Sequence, residues 1–539
     1  MKLKLALLAL LLMNAAPSSA QLTMSQLTPG SPDYLYAKSL LNTHWNEEGK
    51  FEYTLPGDTA QAKKIEKPED PTKALQKQWR DQLPKDEKDI VYGESVHRNE
   101  FGINGGKFWS KDKQKLAFYR MDESMVQSYP LVQTDDREAT VRWSKYPMAG
   151  MTSHQVTLGV WDSQTGKTIY LKTNDKPATN EQRASLNDPE HYLTCVTWRP
   201  DGKQIFIAEL NRKQNYMELN AYDAVSGEYL HTLFTETSEK YVEPENPLYF
   251  LPGSNDRFIW QSRRDGFNHL YLYDLKQPLD KISPLQITKG EWEVVDLLGA
   301  DPKNPNTIYF MATKEDPRER HLYRMTQSFK NIERITQEPG THTVKISKDY
   351  TQVYDVYSNA TTPRVCQLIN LKKKSAKPEV LYTAADPFEG YAKPEVEMGI
   401  LKADDGVTDL YYRMTKPINM EEGRRYPAIV YVYNGPHAQL VNEGYLHGLP
   451  GWDYYMAQQG YVVFTIDGRG SANRGLAFEQ AIWHNLGEVE SRDQLKGVDY
   501  LKSQSFVDSD RIGVYGWSYG GFMTTYLKLN YPEIFKVGV

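Results

Sequence analysis

A turn followed by an alternating strand recurs five times along the chain, and this repeat restricts the fold more than any other feature. The strands read KLAFYR, QIFIAEL, RFIWQS, TIYFMAT and QVYDVYS, and the turns before them start near Trp109, Trp198, Leu251, Ala300 and Ile346. The later turns recur at roughly 45–55 residues, the spacing of four-stranded propeller blades. A β-sandwich with many hairpins is the alternative, but five similar turns in order favour a β-propeller.

From about residue 390 the pattern changes to strands that alternate with helices. RYPAIVYVYNGP, GYVVFTIDGRG and DRIGVYG indicate three apolar strands, whereas VESRDQLKGVDYLKSQ and FMTTYLKLNYP indicate helices. Such alternation predicts an α/β layer on a mostly parallel sheet.

The length of 539 residues is too great for one hydrophobic core. We expect a leader at 1–20, a polar segment at 21–90, the propeller at 91–390 and the first part of an α/β domain at 391–539. The leader, MKLKLALLALLLMNAAPSSA, has two lysines, an apolar run and small residues, which is typical of a secretory signal cleaved after Ala20. The apolar run of about ten residues is too short to cross a bilayer. The mature protein is therefore expected to be periplasmic or secreted.

Composition and charge exclude several classes of protein. Apolar residues make up 40% of the chain and charged residues 25%, values of a folded globular protein. The net charge of −6 is spread along the chain without a basic block, so we expect no nucleic-acid partner. No stretch after the leader predicts a membrane span. Cys195 and Cys366 are too few for a disulfide scaffold or a zinc site, and we predict two buried free thiols.

The strongest chemical motif is Gly516-Trp517-Ser518-Tyr519-Gly520, a G-x-S-x-G sequence after the strand RIGVY and before a predicted helix. That context is the one required by a nucleophile elbow, in which a tight turn exposes the serine hydroxyl. The N–H groups at the start of the following helix suit a developing oxyanion. The predicted fold is therefore a β-propeller followed by an α/β-hydrolase domain that is incomplete at its C-terminus, with Ser518 as the nucleophile.

A serine nucleophile needs a base and an acid, which in this fold follow it in the order Asp or Glu, then His. After Ser518 the chain has no His and no Asp, and Glu533 is the only acidic side chain. His437, His447 and His484 lie upstream, where their use would require an unusual topology. We therefore expect the chain to be a fragment, with the triad Asp and His beyond residue 539.

Several segments resemble the dipeptidyl peptidase IV branch of the prolyl oligopeptidase family. They are GWSYGG, VYNGP (Val432–Pro436), FTIDGRGSANRG (Phe464–Gly475), LGEVESRDQ (Leu486–Gln494) and SRRDGFNHLYLYD (Ser262–Asp274). The resemblance covers roughly residues 91 to 539. It implies an eight-bladed propeller that caps a hydrolase domain and restricts entry to peptides. It also implies a serine exopeptidase that acts on peptides with a free N-terminus and prefers Pro before the scissile bond.

The same resemblance implies roles for three further residues. Tyr433 in VYNGP matches the family tyrosine that helps to form the oxyanion hole, and the Tyr519 backbone N–H completes that hole. The Tyr519 side chain matches a wall of the apolar pocket for Pro. In HRNEFGINGGKFW, Glu100 matches the second of two glutamates that bind the N-terminal amine, and Asn99 stands where the first would be. A carboxylate facing an ammonium forms a charge-assisted pair.

Several points stay open. One glutamate in place of two resembles the pattern of the bacterial prolyl tripeptidyl peptidases, so release of dipeptides or of tripeptides is undecided. Glu94 is the alternative ligand of the N-terminal amine. No cofactor or metal is implied. Family members often dimerise through the hydrolase domain, which implies a homodimer for a complete chain. The alternative functions are an acylaminoacyl peptidase or esterase on the same scaffold, and a non-catalytic propeller that binds peptides.

Ser518 lacks the triad acid and base within this sequence. We expect the reading frame to continue beyond the codon for Val539 and to encode an Asp and then a His, because Ser518 needs both. Sequencing the DNA downstream of that codon tests this. A stop codon directly after Val539 would contradict it and would favour the non-catalytic alternative.

Overall fold

The computed structural model describes residues 21–58, 70–326, 328–373 and 376–539, so the leader predicted at 1–20 lies outside the described residues. The chain divides into two compact units. The mixed unit comprises the described residues of Met1–Ile65 with Glu291–Asp301 and Asn306–Val539. The antiparallel unit comprises those of Glu66–Gly290 with Pro302–Pro305.

The segment before residue 90 forms short elements: α1 (Met24–Leu27), β1 (Leu41–Trp45), β2 (Phe51–Thr54) and α2 (Lys73–Asp81). Strands β1 and β2 pair as an antiparallel hairpin. In α2 the Trp79 ring is buried beside Phe118, with 5.0 Å between the ring centroids. Helix α2 is therefore anchored by an aromatic side chain, since burying a Trp removes a large apolar surface from water.

The described residues of the antiparallel unit form three sheets and one separate hairpin. Its elements are β3 (Ile90–Tyr92), β4 (Lys107–Trp109), β5 (Lys115–Asp122), β6 (Ser128–Gln133), β7 (Thr140–Lys145), β8 (Gln155–Asp162), β9 (Thr168–Tyr170), α3 (Glu181–Ala184), β10 (Tyr192–Trp198), β11 (Gln204–Leu210), β12 (Tyr216–Asp223), β13 (Tyr229–Thr237), β14 (Tyr249–Phe250), β15 (Arg257–Ser262), β16 (His269–Asp274) and β17 (Leu285–Gln286). The sheet orders are β3-β5-β8-β9 with β4 also paired to β5, then β10-β11-β12-β13 and β14-β15-β16-β17, while β6 pairs with β7.

Two further four-stranded sheets belong chiefly to the mixed unit. Their strands are β18 (Val294–Asp301), β19 (Asn304–Ala312), β20 (His321–Thr326), β21 (Asn331–Arg334), β22 (Thr341–Ile346), β23 (Gln352–Asn359), β24 (Thr362–Asn370) and β25 (Glu379–Thr383). Each sheet follows chain order, β18 to β21 and β22 to β25. The five repeat strands of the sequence are β5, β11, β15, β19 and β23, so each is the second strand of its sheet.

The turns before these strands explain the repeated Asp. The Asp112 side chain accepts a hydrogen bond from the Gln114 N–H at 3.0 Å, and Asp201 accepts one from the Lys203 N–H at 3.1 Å. Such Asx turns let an aspartate satisfy the backbone two residues ahead, which closes the hairpin locally. The repeat is therefore visible in sequence because its turn chemistry is local.

A second repeated contact closes two of the sheets. In β16 the His269 Nδ1 lies 3.1 Å from the Thr288 hydroxyl, which also accepts a hydrogen bond from the N–H after His269 at 2.8 Å. In β20 the His321 Nδ1 lies 3.1 Å from the Thr336 hydroxyl, in the same arrangement. The histidine of the segment SRRDGFNHLYLYD is His269, which ties β16 to Thr288, just after β17.

The mixed unit also contains a six-stranded sheet. Its strands are β26 (Val396–Lys402), β27 (Asp409–Thr415), β28 (Tyr426–Tyr431), β29 (Val462–Asp467), β30 (Val507–Tyr515) and β31 (Phe535–Gly538). The helices in this part of the chain are α4 (Gly451–Gln458), α5 (Leu476–Glu479), α6 (Glu488–Ser503) and α7 (Tyr519–Asn530). The strand order is β26-β27-β29-β28-β30-β31. Strands β29, β28, β30 and β31 are parallel, whereas β26 and β27 are antiparallel additions. The prediction of a mostly parallel sheet is confirmed for those four strands.

Helix α6 packs closely on the sheet. The side chains of Val498 and Leu501 are buried in the same core as Phe464 of β29. A Cβ on Gly497 would lie 2.5 Å from the Phe464 ring, so only glycine allows this approach. This close packing holds α6 against β29.

Short 3-10 helices occupy His97–Asn99, Ser185–Asn187, Leu279–Lys281, Tyr445–Gly448 and Gln480–Ile482. Cys195 and Cys366 are buried free thiols, as predicted. Within the residues that the structure describes, no helix combines the length and apolar character needed to cross a membrane.

Candidate active site

Ser518 lies in the sharp turn between β30 and α7. Its φ of 57° and ψ of −124° are a conformation that residues with a Cβ rarely adopt, at a cost of about 1–3 kcal/mol. The residue is exposed. Its backbone carbonyl accepts hydrogen bonds from the Gly521 N–H at 2.9 Å and the Phe522 N–H at 3.1 Å. This strand, strained turn and helix form the context that a G-x-S-x-G nucleophile requires.

The glycines of the motif are required by the approach of a neighbouring backbone. A Cβ on Gly516 would lie 2.4 Å from the Val432 carbonyl oxygen, and a Cβ on Gly520 would lie 2.3 Å from the same oxygen. Real Cβ atoms do not come so close to a backbone oxygen. The turn and the loop after β28 can therefore touch only if both positions lack a side chain.

Tyr433 reaches the same place because two parallel strands end together. Tyr431, the last residue of β28, pairs with Tyr515, the last residue of β30. The Val432 N–H continues this pairing with a 3.0 Å hydrogen bond to the Tyr515 carbonyl. The rings of Tyr433 and Tyr519 then lie 6.3 Å apart between centroids. The structure thus brings Tyr433, Ser518 and Tyr519 together, and we call these three residues the elbow site.

Tyr519 gives the elbow site two hydrogen-bond donors, its backbone N–H and its hydroxyl. The Tyr519 N–H is the first of α7, so it has no carbonyl partner inside the helix. A helix N-terminus also carries partial positive charge. Burial, reinforced by a hydrogen bond to Glu490, raises the pKa of the Tyr519 phenol well above its usual value. Its hydroxyl therefore stays protonated.

The loop that carries Tyr433 is held through Asn434, which is buried with a φ of 59°. The Asn434 side-chain oxygen accepts from the Gly468 N–H at 3.1 Å and from Gln494 at 2.7 Å. Its amide group donates to the Arg469 carbonyl at 2.9 Å. Three segments singled out in the sequence, VYNGP, FTIDGRGSANRG and LGEVESRDQ, therefore meet around one asparagine.

Asp467 holds the continuation of that loop. Its carboxylate accepts hydrogen bonds from the Leu440 N–H at 3.1 Å and the Val441 N–H at 2.8 Å. Burial raises the pKa of Asp467 to about 6, while these two amides act in the opposite direction. Asp467 therefore fixes the backbone at Leu440 and Val441, and both of its carboxylate oxygens accept hydrogen bonds there.

Glu490, in the first turn of α6, contacts the elbow site directly. Its Oε1 accepts a hydrogen bond from the Tyr519 hydroxyl at 2.6 Å, and its Oε2 accepts one from the Gly487 N–H at 2.9 Å. Glu490 has no exposed surface. Burial raises its pKa above the usual value for a glutamate.

The three upstream histidines have other surroundings. The His447 Nδ1 lies 3.0 Å from the Glu443 carboxylate. The His437 Nδ1 lies 3.9 Å from Glu479, and the His484 ring stacks on Trp483 at 3.8 Å between centroids. None of these contacts directs an imidazole at Ser518.

Glu100 lies in the antiparallel unit, directly after the 3-10 helix His97–Asn99, and is exposed. The residues around it are held in an unusual backbone, with φ of 50° at His97, 64° at Asn99 and 54° at Phe101. The His97 ring is buried, with its Nδ1 3.0 Å from the His154 Nε2. Glu94 is also exposed, and its carboxylate lies 3.5 Å from the Lys107 ammonium.

Sequence reasoning assigned no role to Glu490 or Asn434. Both stand in segments that the family resemblance had marked, and Glu490 is the third residue of a helix that follows Gly487. A glutamate at that position commonly reaches back to the N-cap amide. That signal predicts the contact with Gly487, but the contact with Tyr519 depends on the tertiary fold.

Comparison with known protein families gives two matches. Residues 73–364 match the model described as the dipeptidyl peptidase IV N-terminal region. Residues 452–539 match the model of the prolyl oligopeptidase family. The predicted fold, a β-propeller followed by an α/β-hydrolase domain, is confirmed by these matches and by the similar solved structures.

Among solved structures, a Bacteroides ovatus protein described as a candidate dipeptidyl aminopeptidase IV is 40% identical, with a TM-score of 0.75 over 93% of this chain and 68% of that one. Dipeptidyl peptidase 4 of Porphyromonas gingivalis is 28% identical, with a TM-score of 0.74 over 84% of this chain and 61% of that one. Dipeptidyl-aminopeptidase B of Aspergillus niger is 28% identical over 81% of this chain and 49% of its own length. The chain spans about half the length of the curated relatives it matches.

The close approach at the elbow site predicts a contrast between two adjacent glycines. Gly520→Ala places a Cβ 2.3 Å from the Val432 carbonyl oxygen and is expected to lower the free energy of unfolding by about 1–3 kcal/mol. In Gly521→Ala the new Cβ would lie 3.5 Å from the Gly516 carbonyl oxygen, an ordinary van der Waals distance. That variant should be neutral or more stable by up to about 1 kcal/mol, because Ala favours helix. Urea unfolding measures both, and equal effects would contradict the geometry.

Proposed function

Because this chain belongs to the dipeptidyl peptidase IV branch of the prolyl oligopeptidase family, we propose that the protein is a serine exopeptidase that removes short peptides from N-termini. The observation that carries the proposal is Ser518, held at φ 57° between β30 and α7 beside Tyr433 and Tyr519. The relatives named dipeptidyl peptidases support dipeptides as the released product.

The proposed reaction is acyl transfer through Ser518. Its hydroxyl oxygen attacks the carbonyl carbon of the scissile bond, and the oxyanion that forms accepts hydrogen bonds from the Tyr433 hydroxyl and the Tyr519 N–H. Collapse of this intermediate breaks the C–N bond, so the shortened peptide leaves as an amine and the released segment stays as an ester on Ser518. Water then hydrolyses the ester. The attack needs a general base, and we expect a His oriented by an Asp to act as that base.

Two further residues determine the proposed substrate. The Tyr519 ring lines a pocket whose apolar, aromatic character suits the pyrrolidine ring of Pro. Glu100 binds the free N-terminal ammonium through a charge-assisted hydrogen bond. We expect the leader predicted at 1–20 to direct the enzyme to the periplasm or out of the cell, where it would act on peptides.

Active-site labelling tests the proposed function. The protein as its gene encodes it is treated with a fluorophosphonate probe and assayed with Gly-Pro-p-nitroanilide and Ala-Ala-Pro-p-nitroanilide. We expect label on Ser518, none in Ser518→Ala, and faster hydrolysis of the dipeptide substrate. Faster hydrolysis of the tripeptide substrate would identify tripeptidyl release. Absence of label would overturn the proposal in favour of a non-catalytic peptide binder.

In the same assay, Tyr433→Phe is expected to lower kcat by about 10²–10³-fold, because it removes one oxyanion donor. Tyr431→Phe is the matched control. Tyr431 lies two residues earlier, where its ring stacks on Tyr515 at 4.8 Å between centroids. Its loss of a hydroxyl should leave kcat within about threefold. Equal losses in both variants would remove Tyr433 from the oxyanion hole.

Glu100 predicts a preference for free N-termini. Glu100→Ala is expected to lower kcat/KM for Gly-Pro-p-nitroanilide by at least about 10-fold, the size of one hydrogen bond to a charged group, and to leave N-acetylated substrate unchanged. Glu94→Ala is the control, since Glu94 is exposed and paired with Lys107. If Glu100→Ala leaves the ratio of free to blocked substrate unchanged, the exopeptidase assignment fails and an acylaminoacyl peptidase becomes the better reading.

A further inference from the structure

The segment Leu486–Gln494 contains a buried acid that the proposed reaction does not use. Glu490 has no exposed surface, and both of its carboxylate oxygens accept hydrogen bonds, from the Tyr519 hydroxyl at 2.6 Å and from the Gly487 N–H at 2.9 Å. Burial of a carboxylate is costly unless donors compensate it. Both partners here are donors, so the group serves as an acceptor on each side.

The two bonds join different elements. Gly487 ends the loop before α6, with a φ of 94°, and Tyr519 begins α7 directly after the nucleophile. Glu490 therefore links the start of α6 to the first side chain of α7. A Cβ on Gly487 would lie 2.5 Å from the Tyr526 ring, so the loop also packs against the second turn of α7.

The Tyr519 ring is otherwise held by a row of aromatic side chains along one face of α7. Its centroid lies 5.3 Å from that of Phe522, which lies 6.1 Å from that of Tyr526. The centroid of the Tyr433 ring lies 6.3 Å from that of Tyr519. Phe522 is 41% exposed, so this row alone confines the ring weakly. The hydrogen bond to Glu490 is the contact that fixes the hydroxyl end of the ring.

We propose that Glu490 is a positioning residue that sets the preference for Pro by locking the Tyr519 ring as the pocket wall. This inference rests on the proposed function, in which Tyr519 lines the pocket. A rigid pyrrolidine ring gains from a flat wall held at a fixed angle, whereas an Ala side chain makes little contact with it. Release of the ring therefore penalises Pro substrates more than Ala substrates.

The experiment compares Gly-Pro-p-nitroanilide with Gly-Ala-p-nitroanilide in the protein as its gene encodes it. Glu490→Ala is expected to lower the Pro to Ala ratio of kcat/KM by about tenfold, the size of one hydrogen bond to a charged group. Glu490→Gln keeps one oxygen that can accept from the Gly487 N–H, and its amide N–H can donate to the Tyr519 hydroxyl oxygen, so it should recover most of the ratio. Glu488→Gln is the matched control, since Glu488 lies in the same helical turn but is exposed and 3.6 Å from Arg492.

A double variant separates positioning from general structural damage. Tyr519→Phe removes the other end of the same hydrogen bond, so Glu490→Ala combined with it should change the ratio no further than the larger single effect. The midpoints of thermal unfolding of the same proteins should show the same lack of additivity. If Glu490→Ala is poorly folded, Glu490→Gln and Tyr519→Phe still decide the ratio.

The outcomes distinguish the two proposals. If the wild-type protein hydrolyses neither substrate and takes no fluorophosphonate label, the proposed function fails and this inference fails with it. If the wild type is active but Glu490→Ala and Tyr519→Phe keep the wild-type ratio, or if their effects add, only the inference is overturned. A ratio that falls in both single variants and no further in the double variant supports it.

Discussion

The parallel pairing of β28 with β30, with Tyr431 opposite Tyr515, is the constraint on which the candidate site depends. Because both strands end at the same edge, the residues that follow them emerge side by side. A shift of one residue would turn every side chain of a strand to the other face of the sheet. The register thus places Tyr433 beside Tyr519, and the two glycines flanking Ser518 admit the Val432 carbonyl between the loops.

The surrounding network shows why three distant segments share one site. Asn434 receives bonds from both the loop after β29 and helix α6, and Asp467 fixes the next turn of the same loop. Each of these polar groups is buried, so each requires its partners. The strained Ser518 turn adjoins this network through the Val432 carbonyl, which Gly516 and Gly520 approach closely.

Features held by residues close together in sequence could be predicted, whereas features that depend on distant residues could not. The repeat strands β5 and β11 were visible in sequence because Asp112 and Asp201 close their turns within two residues. Helix α6 was visible through its helical periodicity. Strand β30 was visible as an apolar run directly before the G-x-S-x-G motif. The antiparallel strands β26 and β27 were not predicted, although Asp405 closes the turn between them locally. The pairing of β27 with β29 joins distant parts of the chain and has no local signal. The contact of Glu490 with Tyr519 joins residues 29 positions apart, beyond the reach of any motif.

The division of the chain has a consequence for the order of its synthesis. The antiparallel unit is almost one continuous stretch, whereas the mixed unit joins the N-terminal segment to residues near the other end. The Leu22 N–H bonds the side chain of Gln458, 436 residues later. At roughly 5–20 residues per second, the ribosome delivers that partner roughly 20–90 s after Leu22. Leu22 can therefore form this bond only after the whole antiparallel unit and the residues up to Gln458 have been made.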